Sequence, residues 1–301
     1  PDLCFKRILQ RLDHETLSAE RARSALQSFH SRLEPVDITQ EPRITCTVQV
    51  TSFNEVHDLL FRLSPGHNGQ GTVYKFPRTP HLVNMGAATR DDLLMDPKEA
   101  KALFDHPNTA ITVEEKIDGA NIGISWVNGR FQVQNRSHVI DHKSHPQFAG
   151  LNQFLHMHND DLLAILGEGE GKVLFGEWMA AKHSCFYNKL PGLFIAFDIY
   201  DGHSFLSRQK FYEIMRGLSI LIVSRLAGFD LSILPAKSKL HDFFEKTKSH
   251  YGDGPLEGIY IRFDRGDQLI QRAKIVRPDF IADDADHWSK GPIVKNIVKK
   301  T

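Results

Sequence analysis

The pair Asn128-Gly129 lies between two segments in which apolar and polar residues alternate, 121–127 and 130–136. An Asn-Gly pair favours the two-residue turn of a β-hairpin, because both residues adopt positive φ at little cost. A second hairpin is predicted from residues 259–263 through a turn at 264–267 into residues 269–275. We therefore expect antiparallel pairing in this chain.

Helical patterns are found at residues 146–166, 207–217 and 238–250. The strand-like segments between them are joined mostly by short turns, and they do not alternate regularly with helices. This arrangement is typical of antiparallel sheets flanked by helices. The predicted fold class is α+β.

Residues 1–70 differ in pattern from the rest of the chain. A helical pattern follows Ser18, a residue type that caps helices, and a strand-like alternation covers residues 44–51. The segment 64–71 is rich in Gly, Pro and Asn and has no apolar residue, which is typical of a linker. We expect a small mixed N-terminal module of unassigned role at 1–70 and the main domain at 71–301.

The charges of the chain balance, with 37 Lys and Arg against 37 Asp and Glu. No net field therefore attracts nucleic acid, so a nucleic-acid site has to be a local patch. Three groups of basic residues are candidates: Lys75 with Arg78, Lys182 with Lys189, and the tail residues Lys290, Lys295, Lys299 and Lys300. For the tail, a solvated helix face is the alternative.

Other features bear on the cellular compartment. The longest mostly apolar stretch, 218–223, is far shorter than the ~20 residues that cross a bilayer, and no signal peptide is visible. Cys4, Cys46 and Cys185 are far apart and odd in number, which favours a reducing compartment over disulfides or zinc. The histidines are interpreted as surface and loop residues. We expect a soluble intracellular protein with no membrane partner.

Lys116 ends an apolar strand-like segment and is followed by Asp118-Gly119. This spacing brings an amine, a carboxylate and a flexible backbone to one strand end. An isolated lysine has a pKa of ~10.4, so neighbouring cations, a bound metal or burial must lower that pKa before the amine acts as a nucleophile. Taken alone, the pattern is also common in surface turns.

Five further segments follow Lys116 in the chain. They are Asn-Arg-Ser at 135–137, Val-Leu-Phe-Gly-Glu-Trp at 173–178, Leu-Phe-Ile-Ala-Phe-Asp-Ile at 193–199, Leu-Glu-Gly-Ile-Tyr-Ile at 256–261 and Gln-Arg-Ala-Lys-Ile-Val at 271–276. In order and spacing, residues 75–286 resemble the ATP-dependent RNA ligase family, in the branch typified by bacteriophage type 2 RNA ligases. The resemblance implies an antiparallel-sheet nucleotidyltransferase domain of the ATP-grasp-like ligase adenylation type.

The resemblance also implies the chemistry of the first motif. Lys116 would attack the α-phosphate of ATP, form lysyl-AMP and release pyrophosphate. Asp118 and Glu257 would hold a divalent cation, Mg²⁺ or Mn²⁺, through water, and Glu177 would contact the ribose or the metal shell. Carboxylates and water beside phosphates are the ligands that magnesium prefers.

Four further residues are assigned to the nucleotide by the same resemblance. Phe197 would stack on the adenine, and Glu115 would accept a hydrogen bond from the adenine amino group. Arg136 would contact the ribose or the 5′-phosphate end, and Asn121 would contact phosphate in later steps. Asp198, beside Phe197, is expected to be structural.

Arg272 and Lys274 are two residues apart on a predicted strand, so their side chains share a face, while Ala273 and Ile275 face the core. Two cations on one face fit phosphate binding, where they stabilise charge on the α-phosphate and pyrophosphate. The family usually has Lys-x-Lys here, so lysine at position 272 is expected to be tolerated. Lys274 is expected to matter more, because lysine can also donate a proton.

The implied activity is ATP-dependent joining of 3′-hydroxyl and 5′-phosphate RNA ends. RNA is preferred because DNA ligases and capping enzymes carry a further oligonucleotide-binding barrel after the last motif, whereas few residues follow Lys274. RNA ends are the expected partner, with a kinase or phosphatase where the ends need preparation. The alternatives are a DNA ligase or capping-type transferase, and a nucleotide- or RNA-binding module without catalysis.

Overall fold

The structure is a computed structural model that describes residues 73–90, 92–167, 171–278, 280 and 292–299. The chain divides into two units, Pro1–Glu55 and Val56–Thr301, and all described residues belong to the second. The predicted N-terminal module and the tail residues Lys290 and Lys300 lie outside the described residues. No helix in the described ranges is both long and apolar enough to cross a membrane.

Within the described residues, eight strands form two antiparallel sheets. The strands are β1 Ala110–Lys116, β2 Ala120–Val127, β3 Arg130–Gln134, β4 Val139–Ile140, β5 Val173–Trp178, β6 Phe194–Tyr200, β7 Gly258–Arg265 and β8 Gln268–Val276. One sheet has the order β1-β7-β8 and the other has the order β4-β3-β2-β5-β6. The predicted α+β class with antiparallel sheets is confirmed.

Both predicted hairpins form. Val127 of β2 faces Arg130 of β3, and the turn residues Asn128 and Gly129 have φ of 50° and 76°. The β7–β8 hairpin turns at Gly266, with φ 56°, so these strands extend further toward the turn than the sequence pattern indicated. Local turn chemistry therefore fixes both hairpins.

The part of the chain that the structure describes has five α-helices: α1 Pro97–Asp105, α2 Leu151–Met157, α3 Asn159–Leu166, α4 Arg208–Met215 and α5 Lys237–Lys246. The helix predicted at 146–166 is divided into a 3₁₀ turn, Pro146–Phe148, followed by α2 and α3, because His158 leaves the helical region with φ −109° and ψ 22°. Helix α1 was not predicted from the sequence. Asp96 caps it by accepting hydrogen bonds from the N–H groups of Lys98 and Glu99, and Pro97 occupies its first turn.

Each sheet buries one face against helices. Apolar residues of β1, β7 and β8, including Ile259, Ile261 and Ala273, pack with residues of α1 and α5. Residues of the larger sheet, including Ile122 and Leu174, pack with residues of α2, α3 and α4. The remaining faces of the two sheets face each other, and ionic contacts join them there.

Asp198 of β6 is the centre of these contacts. Its Oδ1 lies 2.5 Å from Nη1 of Arg262 on β7, and its Oδ2 lies 3.4 Å from Nη1 of Arg272 on β8. All three side chains are buried. The structural role predicted for Asp198 therefore has a physical basis, since its carboxylate contacts two buried guanidinium groups.

We expect Asp198→Asn to lower the free energy of unfolding by about 1.5–3 kcal/mol, because the amide cannot neutralise the buried arginines. Urea unfolding of Asp198→Asn measures this loss. Asp105→Asn is the matched control, because its pair with Lys101 is exposed and such pairs contribute little. Equal stability of the two variants would contradict the structural role.

Candidate active site

A cavity of about 430 Å³ opens between the inner faces of the two sheets. Strand ends supply most of its wall, and residues 76–93 before α1 supply the rest. Every predicted site residue except Asp118 and Arg272 lines the cavity: Glu115, Lys116, Asn121, Arg136, Glu177, Phe197, Glu257 and Lys274.

Lys116 is the last residue of β1, and β1 pairs with β7 so that Lys116 lies opposite Gly258. That register brings the Lys116 Nζ into direct contact with Oε1 of the adjoining Glu257. Burial alone would lower the pKa of Lys116, but the carboxylates of Glu257 and Asp118 outweigh it and raise the pKa above its ordinary value. In this state the amine is a cation, so its activation requires that the negative field be cancelled.

Asp118, Glu177 and Glu257 surround Lys116. The Asp118 Oδ2 accepts hydrogen bonds from the backbone N–H of Ser184 at 2.6 Å and of Cys185 at 2.9 Å. Burial raises the pKa of Glu177 to about 8 and that of Glu257 to about 7, although the Lys116 charge opposes both shifts. Three carboxylates thus crowd one ammonium group.

Gly119 allows this crowding. A Cβ on Gly119 would lie 2.7 Å from the carbonyl oxygen of Trp178 and 3.1 Å from Cγ of Glu177. The Gly119 N–H donates to Oε1 of Glu177 at 3.1 Å. The glycine of the Asp-x-Gly pattern is therefore needed for close approach of β5, which carries Glu177.

A divalent cation fits this group of carboxylates. Oε2 of Glu257 is buried and has no hydrogen-bond partner among the described residues. An orphaned buried carboxylate oxygen beside two further carboxylates matches the oxygen ligands of Mg²⁺ and Mn²⁺. Asp118, Glu177 and Glu257 are the residues that would hold it.

Lys274 lies on β8, where its Nζ donates to Oδ1 of Asp92 at 2.6 Å. His81 forms a parallel bridge with Lys274, so the two side chains share a sheet face. The His81 side chain is 2% exposed, its Nε2 lies 3.5 Å from Oδ1 of Asp92, and its Nδ1 has no hydrogen-bond partner among the described residues. Burial lowers the pKa of His81, with the Lys274 charge acting in the same direction.

His81 and Asp92 were not predicted as cavity residues. Only Lys75 and Arg78 of this segment were candidates, and of these only Arg78 lines the cavity. The segment is irregular, so it has no periodicity from which a shared face could be inferred. A histidine and an aspartate close to a basic pair were the only signal available.

Arg272 does not line the cavity. Its guanidinium lies 4.5 Å from the ring centre of Phe76 and 4.1 Å from that of Phe205, and it faces Asp198. Arg272 and Lys274 share a face of β8, as predicted, but aromatic rings cover the side chain of Arg272. The buried guanidinium binds protein groups in this structure.

The two residues assigned to the adenine have different surroundings. Oε1 of Glu115 accepts from Ser249 Oγ, and its Oε2 accepts from the backbone N–H of His250 at 3.0 Å, so the carboxylate is held in one orientation. Phe197 is only partly buried, and Phe76 meets its ring edge-on at 5.4 Å between centres. An aromatic face is thus available at the cavity wall.

Residues 109–276 match the family model described as RNA ligase, which is more than half of the 301 residues. The chain belongs to the RNA ligase family. The match begins just before β1 and ends with β8, so it contains all ten predicted site residues. His81, Asp92 and residues 292–299 lie outside the part that matches the RNA ligase family.

Solved structures agree in fold. The chain is similar to the Naegleria gruberi RNA ligase with PPi, with a TM-score of 0.51 and 17% identity over 86% of this chain and 70% of that one. An alanine mutant of the same ligase with ATP and Mn gives a TM-score of 0.50 and 16% identity over 83% and 68%.

A putative ATP-dependent DNA ligase from Aquifex aeolicus gives a TM-score of 0.43 and 15% identity over 68% of this chain. The chain spans about half the length of that protein, 50%. It likewise covers 48% of two archaeal ATP-dependent RNA ligase structures. No curated protein sequence matches the chain.

Proposed function

We propose that this member of the RNA ligase family is an ATP-dependent RNA ligase that joins a 3′-hydroxyl to a 5′-phosphate through a lysyl-AMP intermediate. One observation carries the proposal. Lys116 projects into a cavity of nucleotide size beside the carboxylates of Glu177 and Glu257, with the cation Lys274 lining the same cavity. A nucleophilic amine, acidic groups and a phosphate-binding cation are the groups that adenylate transfer requires.

In the first step the Lys116 ammonium releases a proton to solvent, and the neutral amine attacks the α-phosphorus of ATP. A phosphorus–nitrogen bond forms, the bond from the α-phosphorus to the bridging oxygen breaks, and pyrophosphate leaves with the electron pair. Lys274 stabilises the charge that develops on the α-phosphate and the leaving group. To do so it exchanges Asp92 for phosphate oxygens or shares its three donors between them.

The carboxylates Asp118, Glu177 and Glu257 would hold the divalent cation, Mg²⁺ or Mn²⁺. When bound, the cation cancels the negative field that raises the pKa of Lys116 and shields the charge of the triphosphate. Lys116 is held in place by Glu257 in the meantime. The buried Oε2 of Glu257, for which the described residues offer no hydrogen-bond partner, supports this assignment.

Nucleotide recognition uses other residues that line the cavity. Phe197 stacks on the adenine, and Arg136 contacts the ribose or the incoming 5′-phosphate. Glu115 accepts from the adenine amino group with the lone pair that Ser249 leaves on Oε1, because a carboxylate oxygen accepts two hydrogen bonds. Asn121, opposite Glu177 on the neighbouring strand, contacts phosphate in the later steps.

In the later steps AMP is transferred to a 5′-phosphate RNA end, and a 3′-hydroxyl displaces it. Ends of other chemistry need a kinase or phosphatase first. The test incubates the protein with a divalent cation and either ATP or GTP, followed by intact-mass measurement and then addition of nicked RNA or nicked DNA.

We expect the added mass of one AMP with ATP, none with GTP, and sealing of RNA. Labelling by GTP would indicate a capping-type transferase, and sealing of DNA alone would indicate a DNA ligase. Absence of labelling with either nucleotide would indicate a nucleotide- or RNA-binding module without catalysis.

We expect Asp118→Asn and Glu257→Gln to lower the adenylation rate and to shift the magnesium dependence to higher concentration, with excess magnesium restoring the rate only in part. Both substitutions keep side-chain shape but remove a negative ligand. Single-turnover adenylation over a magnesium titration measures the effect. Glu213→Gln is the control, because Glu213 is exposed on α4 and contacts Lys210. An unchanged magnesium dependence in both site variants would contradict the metal assignment.

A further inference from the structure

The connection between β5 and β6, residues 179–193 and here called the β5–β6 loop, lies next to the nucleophile. Ser184 and Cys185 donate their backbone N–H groups to the Asp118 carboxylate. In return, the Asp118 N–H donates to the hydroxyl of Tyr187 at 3.0 Å. The loop is therefore fixed to the residue two positions after Lys116.

Residues 292–299 pair with the same loop. The N–H of Lys182 donates to the carbonyl of Val294 at 2.7 Å, and the N–H of Lys299 donates to the carbonyl of Leu190 at 2.8 Å. Residues 292–299 form isolated bridges and no helix, so the solvated helix face considered for this part of the tail is excluded.

Asn296 fixes this segment to the loop. Its side chain is buried, accepts from the N–H of Tyr187 at 2.9 Å, and donates to the carbonyls of Met179 at 2.9 Å and Ala181 at 3.0 Å. All three of these hydrogen bonds join the amide group to the β5–β6 loop. The segment thus holds a defined position beside Asp118.

This pairing joins two of the basic groups that the sequence presents separately. Lys182 and Lys189 come from the loop, and Lys295 and Lys299 come from the segment. We call these four lysines, with the 43% exposed Phe186 between the first two, the basic surface. The exposed Asp253 offsets the charge of Lys189, and the other three lysines leave the surface with a net positive charge.

We propose that the basic surface binds the sugar–phosphate backbone of the RNA strand whose end is being joined. This inference rests on the proposed function. In a chain of zero net charge, a local group of lysines is what attracts a polyanion, and each lysine that contacts a phosphate contributes a salt-dependent attraction. The exposed ring of Phe186 offers a face on which an unpaired base stacks.

The position of the basic surface favours RNA over a protein as its partner. The surface is built on the loop whose Ser184 and Cys185 hold Asp118, so a strand bound there lies close to the nucleophile Lys116. Exposed Val294, Ile297 and Val298 adjoin the lysines and provide apolar contacts for riboses and bases. A protein partner would cover the same area without any need for proximity to Lys116.

The test compares two full-chain variants that each lose four positive charges. The surface variant replaces Lys182, Lys189, Lys295 and Lys299 by glutamine. The control variant replaces Lys98, Lys101, Lys237 and Lys239, which are exposed on or beside α1 and α5, by glutamine. Thermal unfolding verifies that both are folded, and a third variant with arginine at the four surface positions restores the charge.

Three quantities are measured: self-adenylation with ATP alone, binding of a 5′-phosphorylated RNA oligonucleotide across a salt series, and sealing of pre-adenylated RNA. We expect the surface variant to adenylate at the wild-type rate but to bind RNA about tenfold or more weakly. Its salt dependence should be smaller by about 0.7 in log–log slope per lost contact. Sealing should fall in parallel, and arginine should restore it.

RNA binding and salt dependence equal to those of the control variant would overturn the proposal and leave the surface to a protein partner. Equal weakening in both variants would also overturn it, because it would show a general charge effect. Failure of the wild-type protein to adenylate is a separate result that contradicts the proposed function, whereas loss of RNA binding in the surface variant alone supports the basic surface.

Discussion

Replacing Lys116 by alanine is expected to abolish covalent labelling of the protein with AMP. The substitution removes the Nζ that forms the phosphorus–nitrogen bond, and neither Lys274 nor a neighbouring group occupies the same strand-end position. The fold should persist, because Lys116 ends β1 and its side chain is 21% exposed. Glu257 then loses its partner, but with a pKa already raised to about 7 it becomes protonated instead of remaining a buried unpaired charge.

Lys116→Arg is the sharper variant for this prediction. Arginine keeps the positive charge and the contact with Glu257, but its guanidinium does not lose a proton in proteins. We expect a folded protein of near wild-type stability that does not form the AMP adduct. Lys101→Ala, at an exposed position of α1, serves as the control and should label normally. Retained labelling of Lys116→Arg, or an adduct mapped to another lysine, would exclude Lys116 as the nucleophile.

The features that the sequence predicted well depend on neighbouring residues. Asn128 and Gly129 fix the β2–β3 turn by their own conformational preferences, so the hairpin and its register follow from a short window. The position of Lys116 at a strand end follows similarly from Ile111 and Val113. Alternation on β8 correctly places Ala273 and Ile275 in the core, where both are fully buried.

Contacts between distant segments could not be predicted in this way. The pairing of β1 with β7 brings Lys116 against Glu257, which is 141 positions away in the chain. The parallel bridge that places His81 beside Lys274 comes from a segment without periodicity. In physical terms, residue patterns determine which face a side chain occupies, but the partner on that face depends on how the sheets pack.

Glu115 and the tail lysines show the same limit. The carboxylate of Glu115 is fixed by Ser249 and His250, from the connection between α5 and β7, and no spacing within its own strand indicates that contact. Lys295 and Lys299 lie beside the β5–β6 loop because Asn296 anchors their segment to it. The Asn296 amide bonds to backbone groups that are distant in the chain, and a hydrophobic pattern does not indicate such bonds.

The two cations of β8 are expected to separate in their effects. Lys274→Ala should lower the single-turnover rate of adenylation by ~100-fold or more, with a smaller change in ATP affinity, because the lost charge acts mainly in the transition state. Its stability should change little, since the Lys274 side chain is 18% exposed and its partner Asp92 is 24% exposed. Adenylation at the wild-type rate would show that this strand does not serve the phosphates.

Arg272→Ala should instead lose stability, by about 3 kcal/mol, because it opens a buried ionic contact with Asp198 and removes the packing on Phe76 and Phe205. This contradicts the sequence-based expectation that lysine is tolerated at position 272. A lysine ammonium lacks the planar surface that stacks between two rings, so Arg272→Lys should recover only part of the stability. Unfolding curves and adenylation rates are measured on Lys274→Ala, Arg272→Ala and Arg272→Lys. Together they separate an effect on catalysis from an effect on stability. If Arg272→Ala is as stable as the wild type but adenylates slowly, then Arg272 turns toward the phosphates when ATP binds, and the buried pair described here is a resting arrangement.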